Sequence, residues 1–271
     1  MSGGPLRQPA VAGSFYPGAR ESLLAEVQRC IEAEQIPRKA IGVVAPHAGY
    51  VYSGRVAGSV YSRVEIPKTV FLLGPNHTGL GHEVSLMVRG VWSTPFGEVE
   101  IDEDLAASLL AAFPDAVENE DAHRREHSLE TQLPFLQYFR HDFRIVPICL
   151  MRLGLEQCRA LARALVEAIR TTGRDVLLVA SSDMTHYEPH QSASEKDHKA
   201  IEAILNLDPV ALETVVREYK ISMCGLNPVM AMLWAGRELG AEASNLVRYE
   251  TSGPVTGDME NVVGYAGIII H

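Results

Sequence analysis

Residues 40–50 read Ala40-Ile41-Gly42-Val43-Val44-Ala45-Pro46-His47-Ala48-Gly49-Tyr50. The first six are apolar and β-rich but too few for a helix, and Pro46 ends the run, so His47 stands in the turn after a buried strand. Thr69 to Leu73 repeats the pattern and leads into Gly74-Pro75-Asn76-His77-Thr78-Gly79. Between the two runs, Ser53 to Val64 carries a helical pattern whose polar start suits an N-cap. Strand, helix and strand at this spacing form a βαβ unit with parallel strands. A third apolar run, Asp175 to Ala180, precedes Ser181-Ser182-Asp183-Met184-Thr185-His186. In an open α/β sheet ligands bind beyond the carboxyl ends of the strands, so His47, His77 and His186 can converge on one pocket.

The alternation continues outward from this unit. Glu83 to Glu100 is punctuated by Gly90, Pro95 and Gly97 into runs too short for helices and reads as an antiparallel insertion. Asp102 to Ala112 and Leu129 to Phe139 have helical periodicity, and Arg144 to Leu150 is strand-like. Leu155 to Thr171 reads as a helix, followed after the Asp175 strand by helices over Ser192 to Leu205, Pro209 to Tyr219 and Pro228 to Leu239. Ser244 to Tyr249 and Asn261 to Ile270 close the chain as strands. Strands separated by such helices predict an α/β fold: a single domain over residues 1–271 with a mainly parallel sheet flanked by helices.

Composition sets the limits of function. The 271 residues are 46% hydrophobic and 21% charged, which gives an ordinary globular protein enough core for one domain. A formal charge of −10, from 34 acidic and 24 basic residues without a basic run, argues against nucleic acid or anionic lipid as partner. No apolar run approaches the roughly 18 residues of a membrane span, and the N-terminus lacks the apolar segment of a signal peptide. A cytoplasmic location is expected, and the sequence carries no signal for oligomeric state. Cys30, Cys149, Cys158 and Cys224 show neither CxxC pairing nor regular spacing, so they are read as reduced thiols.

The chemistry rests on a few residues. His47 sits at a tight turn with Ala48 and Gly49, where a ligand can approach closely. His77 lies one or two strand spacings of about 4.8 Å away, within reach of a shared ion. His186 follows Asp183 by three residues in a third post-strand loop. Cys224, in Met223-Cys224-Gly225-Leu226-Asn227-Pro228, precedes a predicted helix whose N-terminus would lower its thiol pKa. Each of these residues alone could equally be a packing or loop side chain; their shared position past strand ends favours a metal or acid/base site. Cys30, Cys149 and Cys158 are read as small buried hydrophobes.

Taken together, Arg7-Gln8-Pro9-Ala10-Val11-Ala12-Gly13-Ser14-Phe15-Tyr16-Pro17, Pro46-His47-Ala48-Gly49-Tyr50, Gly74-Pro75-Asn76-His77, Glu126-His127-Ser128-Leu129-Glu130, Ser181-Ser182-Asp183 and Cys224-Gly225 strongly resemble the Memo family. Its prokaryotic members are called AmmeMemoRadiSam system protein B. The resemblance spans nearly the whole chain and implies the fold of the class III extradiol ring-cleaving dioxygenases, with the active site at one end of the sheet. It implies His47, His77 and Cys224 as metal-binding positions and His186 as the position of a catalytic histidine, with Asp183 in the same loop. Those dioxygenases hold Fe(II) with two histidines and a carboxylate, so Cys224 departs from their pattern and shifts preference toward thiolate-tolerant metals.

The resulting expectation is a metal-dependent redox enzyme acting on a small organic substrate, with iron foremost and copper or zinc as alternatives. His186 would be the general acid or base and Asp183 would orient it or a metal-bound water. Glu126, His127, Tyr50 and Arg55 form a second tier around the pocket, with Tyr52 as a further wall candidate. The resemblance also implies a separate Ammecr-like protein and a separate radical SAM protein as partners, since four scattered cysteines build no iron–sulfur motif. Two alternatives stand beside this reading. Eukaryotic relatives are associated with motility signalling and phosphotyrosine-peptide binding, and Ser53-Gly54-Arg55 at a helix N-terminus could receive an anion, which suits a non-catalytic interaction protein. His123-Arg124-Arg125-Glu126-His127 also matches the H-x-x-E-H pattern of zinc hydrolases, although Ser128 reads as an N-cap and His123 as a surface residue. His82, His141, His190, His198 and His271 have no supporting constellation.

Overall fold

The computed structural model describes residues 4–32 and 34–271. At its centre four parallel strands lie in the order Arg144–Leu150, Thr69–Pro75, Val176–Ser181 and Gly42–Ala45. These are the continuous apolar runs of the sequence, and they are buried nearly throughout. Such burial requires cover on both faces, which is why they do not alternate polar and apolar residues. The helices Glu103–Ala112, Leu155–Thr172 and Leu226–Glu238 pack on one another as one group, and Arg20–Cys30, Tyr50–Tyr61 and Leu133–Phe139 as a second.

Outside this centre the sheet is mixed: Gly97–Ile101 still pairs parallel with Arg144–Leu150, and Val84–Leu86 with Ala116–Glu118, but antiparallel pairs enter on both flanks. On one flank the predicted insertion forms the antiparallel hairpin Val91–Thr94 and Gly97–Ile101, with Val84–Leu86 antiparallel to Arg144–Leu150. On the other flank Val262–Ile270 pairs antiparallel with both Gly42–Ala45 and Ser244–Thr251. The α/β class is as expected, with antiparallel edges added to the parallel core.

Two local differences from the sequence reading have clear causes. The helix expected from Ser53 begins at Tyr50, because Gly49, with ψ of 142°, already makes the turn into it. Ser53 therefore lies in its first turn and donates its hydroxyl to the Ala48 carbonyl instead of capping. The helix Arg20–Cys30 was not expected, although its buried Leu23, Val27 and Cys30 follow i, i+4, i+7 spacing. Among the described residues no helix is long and apolar enough to cross a membrane.

Candidate metal centre

The central strands end nearly level, since Pro75 pairs with Leu150 and Ala45 with Ser181. His47, His77 and Asp183 each stand two residues beyond the end of their strand. The βαβ strands are not immediate neighbours: Val176–Ser181 runs between them. The two histidines are thus two strand spacings apart at the backbone, yet their rings lean together to a centroid separation of 5.3 Å. The intervening strand brings Ser181 and Asp183 between them.

Hydrogen bonds set the tautomer of each ring. Ser181 Oγ donates to the Ser128 carbonyl at 2.6 Å and accepts Gln132 Nε2 at 2.8 Å. Its remaining lone pair can only accept, so His47 Nδ1, 2.9 Å away, carries a proton. His47 Nε2 is then a lone pair, and it faces Cys224 Sγ at 3.3 Å. Burial pushes the His47 pKa well down, aided by the neighbouring His127 and His77, so the ring is neutral. His77 Nδ1 lies 2.9 Å from Glu126 Oε1, which likewise leaves Nε2 free. His186 Nδ1 is 3.0 Å from the Ser222 carbonyl, an acceptor only, so it too presents Nε2. A second-layer acceptor on the far nitrogen is the usual arrangement for metal-ligating histidine.

Cys224 is delivered by close backbone packing. A Cβ on Gly225 would lie 2.3 Å from Ser182 Cβ and 2.4 Å from the Ser181 carbonyl oxygen, so only glycine lets this turn reach the loop after the strand. Gly225 N–H donates to Ser182 Oγ at 3.0 Å, and Cys224 Sγ accepts the Asp183 N–H at 3.3 Å. The expected lowering of the thiol pKa by the helix N-terminus is absent. Cys224 lies one residue before the Gly225 N-cap, and burial followed by the Asp183 charge pushes the thiol up. Asp183, 5% exposed, is itself raised by burial, although the His47 N–H donates to its Oδ1 at 2.8 Å. Two acids whose charged forms are disfavoured by burial, beside two imidazole lone pairs, make a pocket that a cation would stabilise.

Ligand atoms of His47, His77 and Cys224 all lie within 4.8 Å of one another, as do those of His77, Glu126 and His127. In the second group Glu126 is already engaged. It accepts the backbone N–H groups of His77, His127 and Ser128 as well as His77 Nδ1. Burial opposes its ionisation, but these bonds outweigh it and hold the pKa at about 2. The His77 pKa is raised despite burial, through the same Glu126 contact. Glu126 therefore serves as the carboxylate behind His77. His127 closes the cluster, stacked on His77 at 4.6 Å, edge-on to His47 at 5.5 Å and against Phe15 at 4.7 Å.

Other expectations are corrected. His123 is fully buried, with Nε2 on the Ser85 carbonyl at 3.1 Å and Nδ1 on Cys149 Sγ at 3.3 Å. Its helix ends at Arg124, so it shares no helical face with His127, and the zinc-hydrolase pairing has no geometric basis. Tyr50 does not face the pocket; it stacks on Phe135 and donates to the Thr131 carbonyl. Arg55 is exposed in the second turn of its helix, away from the N-terminus, so the anion cradle expected at Ser53-Gly54-Arg55 is not formed. Asp183 hydrogen-bonds the His47 backbone, and Ser222, not Asp183, orients His186.

Sequence reading missed Gln132 and the part played by Ser181 and Ser128. Gln132 accepts Tyr61 Oη at 2.8 Å and donates to the Pro46 carbonyl, so one amide ties the His47 turn to Ser181. It also missed Glu130 as an anchor. Glu130 is fully buried, pairs with Arg7 at 2.7 Å, and accepts Tyr16 Oη and the N–H groups of Ala10 and Val11. That anchor holds the N-terminal segment so that Phe15 reaches His127.

A family model described as Memo-like protein matches residues 7–269. The chain is 46% identical over 268 residues to a MEMO1 family protein of Methanosarcina barkeri, covering 98% of this chain and 100% of that protein. It is 43% identical over 279 residues to a MEMO1 family protein of Methanopyrus kandleri, covering 98% and 99%. The crystal structure of the uncharacterized protein JW3007 from Escherichia coli K12 superposes with a TM-score of 0.59 at 13% identity, over 85% of this chain and all of that one, which shows a shared fold. With a family match over almost its entire length and relatives above 40% identity, this chain belongs to the Memo family.

Proposed function

We propose that the protein is a metal-dependent redox enzyme acting on a small organic substrate, with His47, His77 and Cys224 holding the ion. The observation that carries this reading is the convergence of one imidazole nitrogen from each of His47 and His77 and the Cys224 thiol within 4.8 Å, each ring held at Nδ1 by Ser181 or Glu126. Two borderline nitrogen donors and one soft sulfur fit iron, with copper or zinc as alternatives, and leave coordination positions open. Such an ion would supply electron exchange and Lewis acidity.

The chain's own residues supply the rest. His186, with its Nδ1 proton engaged by Ser222, offers Nε2 as the proton acceptor or donor. Asp183 fixes the turn carrying His47 and adds negative charge beside the ion. Phe15 packs at a tilt against His127, which stacks on His77, so that one side of the centre is covered by aromatic rings. The resemblance to the dioxygenase fold supports oxygen-coupled chemistry, and the family context supports separate Ammecr-like and radical SAM partners.

The test is metal content after anaerobic purification, for the native chain and for His47→Ala, His77→Ala and Cys224→Ala. Near-stoichiometric metal, lost in all three variants while circular dichroism stays native, is expected. Metal absent after reconstitution, or indifferent to the substitutions, would overturn the reading in favour of a non-catalytic binding protein.

A further inference from the structure

The candidate centre opens into a cleft of about 750 Å³ whose lining includes both His77 and Cys224. This is the size of a small-molecule site. Its floor is apolar, formed by Leu153, Val216, Ile221 and Met223, which are each no more than 7% exposed. Its charged lining is biased toward the cation, with Arg152, Arg217 and Lys220 against the single acid Glu213. The bias is contrary to the chain as a whole, which carries a net charge of −10. Arg217 is spoken for by Glu213 at 2.6 Å. Arg152 and Lys220 make no ion pair among the described residues.

The backbone singles out Lys220. The helix Pro209–Glu218 ends in a Schellman turn, with Ile221 N–H on the Val216 carbonyl at 2.9 Å and Lys220 N–H on that of Arg217. Lys220 occupies the left-handed position of that turn, at φ +52°, where glycine is the ordinary residue. A lysine there is unfavourable for the turn itself, and its side chain lines the cleft. Arg152 approaches from the other wall, two residues beyond the end of the strand Arg144–Leu150.

We propose that this cleft selects an organic carboxylate with an apolar body, its anionic group received by Arg152 and Lys220 and its remainder laid on the Leu153–Met223 floor toward His77 and Cys224. This names the substrate class of the redox site proposed above and rests on that reading for the chemistry. The recognition itself depends only on the cleft. A focused positive potential in an otherwise acidic protein both attracts the anion and disfavours neutral analogues.

The probes are 3-phenylpropionate and its uncharged isostere 3-phenylpropionamide, titrated by calorimetry and protein-observed NMR into the full chain, metal-loaded and metal-free. The acid is expected to bind at least about tenfold tighter than the amide, a preference that falls below about threefold in the Arg152→Ala/Lys220→Gly double variant. Lys220→Gly is expected to keep or raise the melting temperature, because glycine suits the turn, and metal content is expected to be unchanged. Equal affinity for acid and amide, no binding of either at about 10 mM, or a preference that survives the double variant would overturn the proposal. A preference confined to the metal-loaded protein and untouched by the double variant belongs to the ion and also overturns it. If the native chain holds no metal, the redox reading fails while the comparison in metal-free protein still decides this one.

Discussion

Replacing Ser181 by alanine separates a designed metal site from an accidental cluster of histidines. Ser181 is fully buried and its hydroxyl uses all of its hydrogen-bonding capacity: one proton given to Ser128, two lone pairs filled by Gln132 and His47. Alanine orphans one amide hydrogen and one imidazole hydrogen and leaves the Ser128 carbonyl with only the long 3.5 Å bond from Thr131 Oγ1. At about 1–3 kcal/mol for each buried group left unpaired, and with partial relaxation, the expected loss of stability is about 3–5 kcal/mol. The second effect is on the ion. Without an acceptor on Nδ1, His47 is no longer held with Nε2 as a lone pair, and loss of such an outer partner typically lowers metal affinity about 10- to 100-fold. Chemical denaturation of the metal-free protein reads the first quantity, and competition against a chelator at temperatures where the variant stays folded reads the second. Tyr61→Phe is the control, because it removes only the bond to Gln132 Oε1, one step further back. It is expected to cost about 1 kcal/mol and leave metal affinity unchanged. Ser181→Ala with affinity within about twofold of native, or an affinity loss matched by Tyr61→Phe, would refute the reasoning about the tautomer.

Two further outcomes follow from the same geometry. Gly225→Ala is expected to displace Cys224 and abolish metal binding as fully as Cys224→Ala, with about 1–3 kcal/mol of overpacking cost, since its Cβ would meet Ser182 Cβ at 2.3 Å; retained metal content would contradict the close approach. Acid stability is expected to depend on Glu32, whose pKa, though burial pushes upward, is held at about 2 by Arg63 at 2.6 Å and Arg248 at 2.9 Å. A folded pKa below the unfolded one stabilises above the unfolded value of 4.5 and is lost as pH falls through the folded one, so the window is pH 4.5 to about 2. The pair is partly exposed, so the contribution is about 1 kcal/mol, and Glu32→Gln is expected to flatten the stability–pH curve there; an unchanged slope in denaturation midpoints would show that the carboxylate contributes nothing.

The parts of this protein that were legible in its sequence are those where a single local rule decides the structure. Arg144 to Leu150 and Asp175 to Ala180 read as strands because an unbroken apolar run of that length has few other ways to be buried, and they are strands within a residue. His47 and His77 were legible for the same reason, since a proline at the end of such a run leaves the polar side chains one or two residues further on at the active end of the sheet. What was hidden depends on strand order, which no local pattern carries. Consecutive strands of a βαβ unit are commonly pictured side by side, yet Val176–Ser181 separates them. Only that insertion makes Ser181 the outer partner of a histidine 134 residues away. The misreadings of Arg55, Tyr50 and His123 have a common origin: each was judged from sequence neighbours, and a three-residue shift in a helix start, or a short helix folded over a hairpin, turned the side chain elsewhere.

Chemistry confined to strand ends and support supplied by distant elements divide the site into two layers with different tolerances. The donor atoms of His47, His77 and Cys224 come from turns that the sheet fixes, and their identity is set by the ion they can hold. Ser128, Gln132, Glu126 and Glu130 come from a single stretch, residues 126–132, which touches all three of the turn at Pro46, the loop at His77 and the N-terminal segment. That stretch forms only the short 3-10 turn Glu130–Gln132, and its side chains divide their bonds between the stretch itself, where Glu126 accepts the His127 and Ser128 N–H groups, and the elements around it. A substitution at a donor should therefore remove the metal and spare the fold. A substitution within 126–132 should weaken both together, and the ratio of the two losses measures how far each residue of the stretch serves the ion and how far it serves the core.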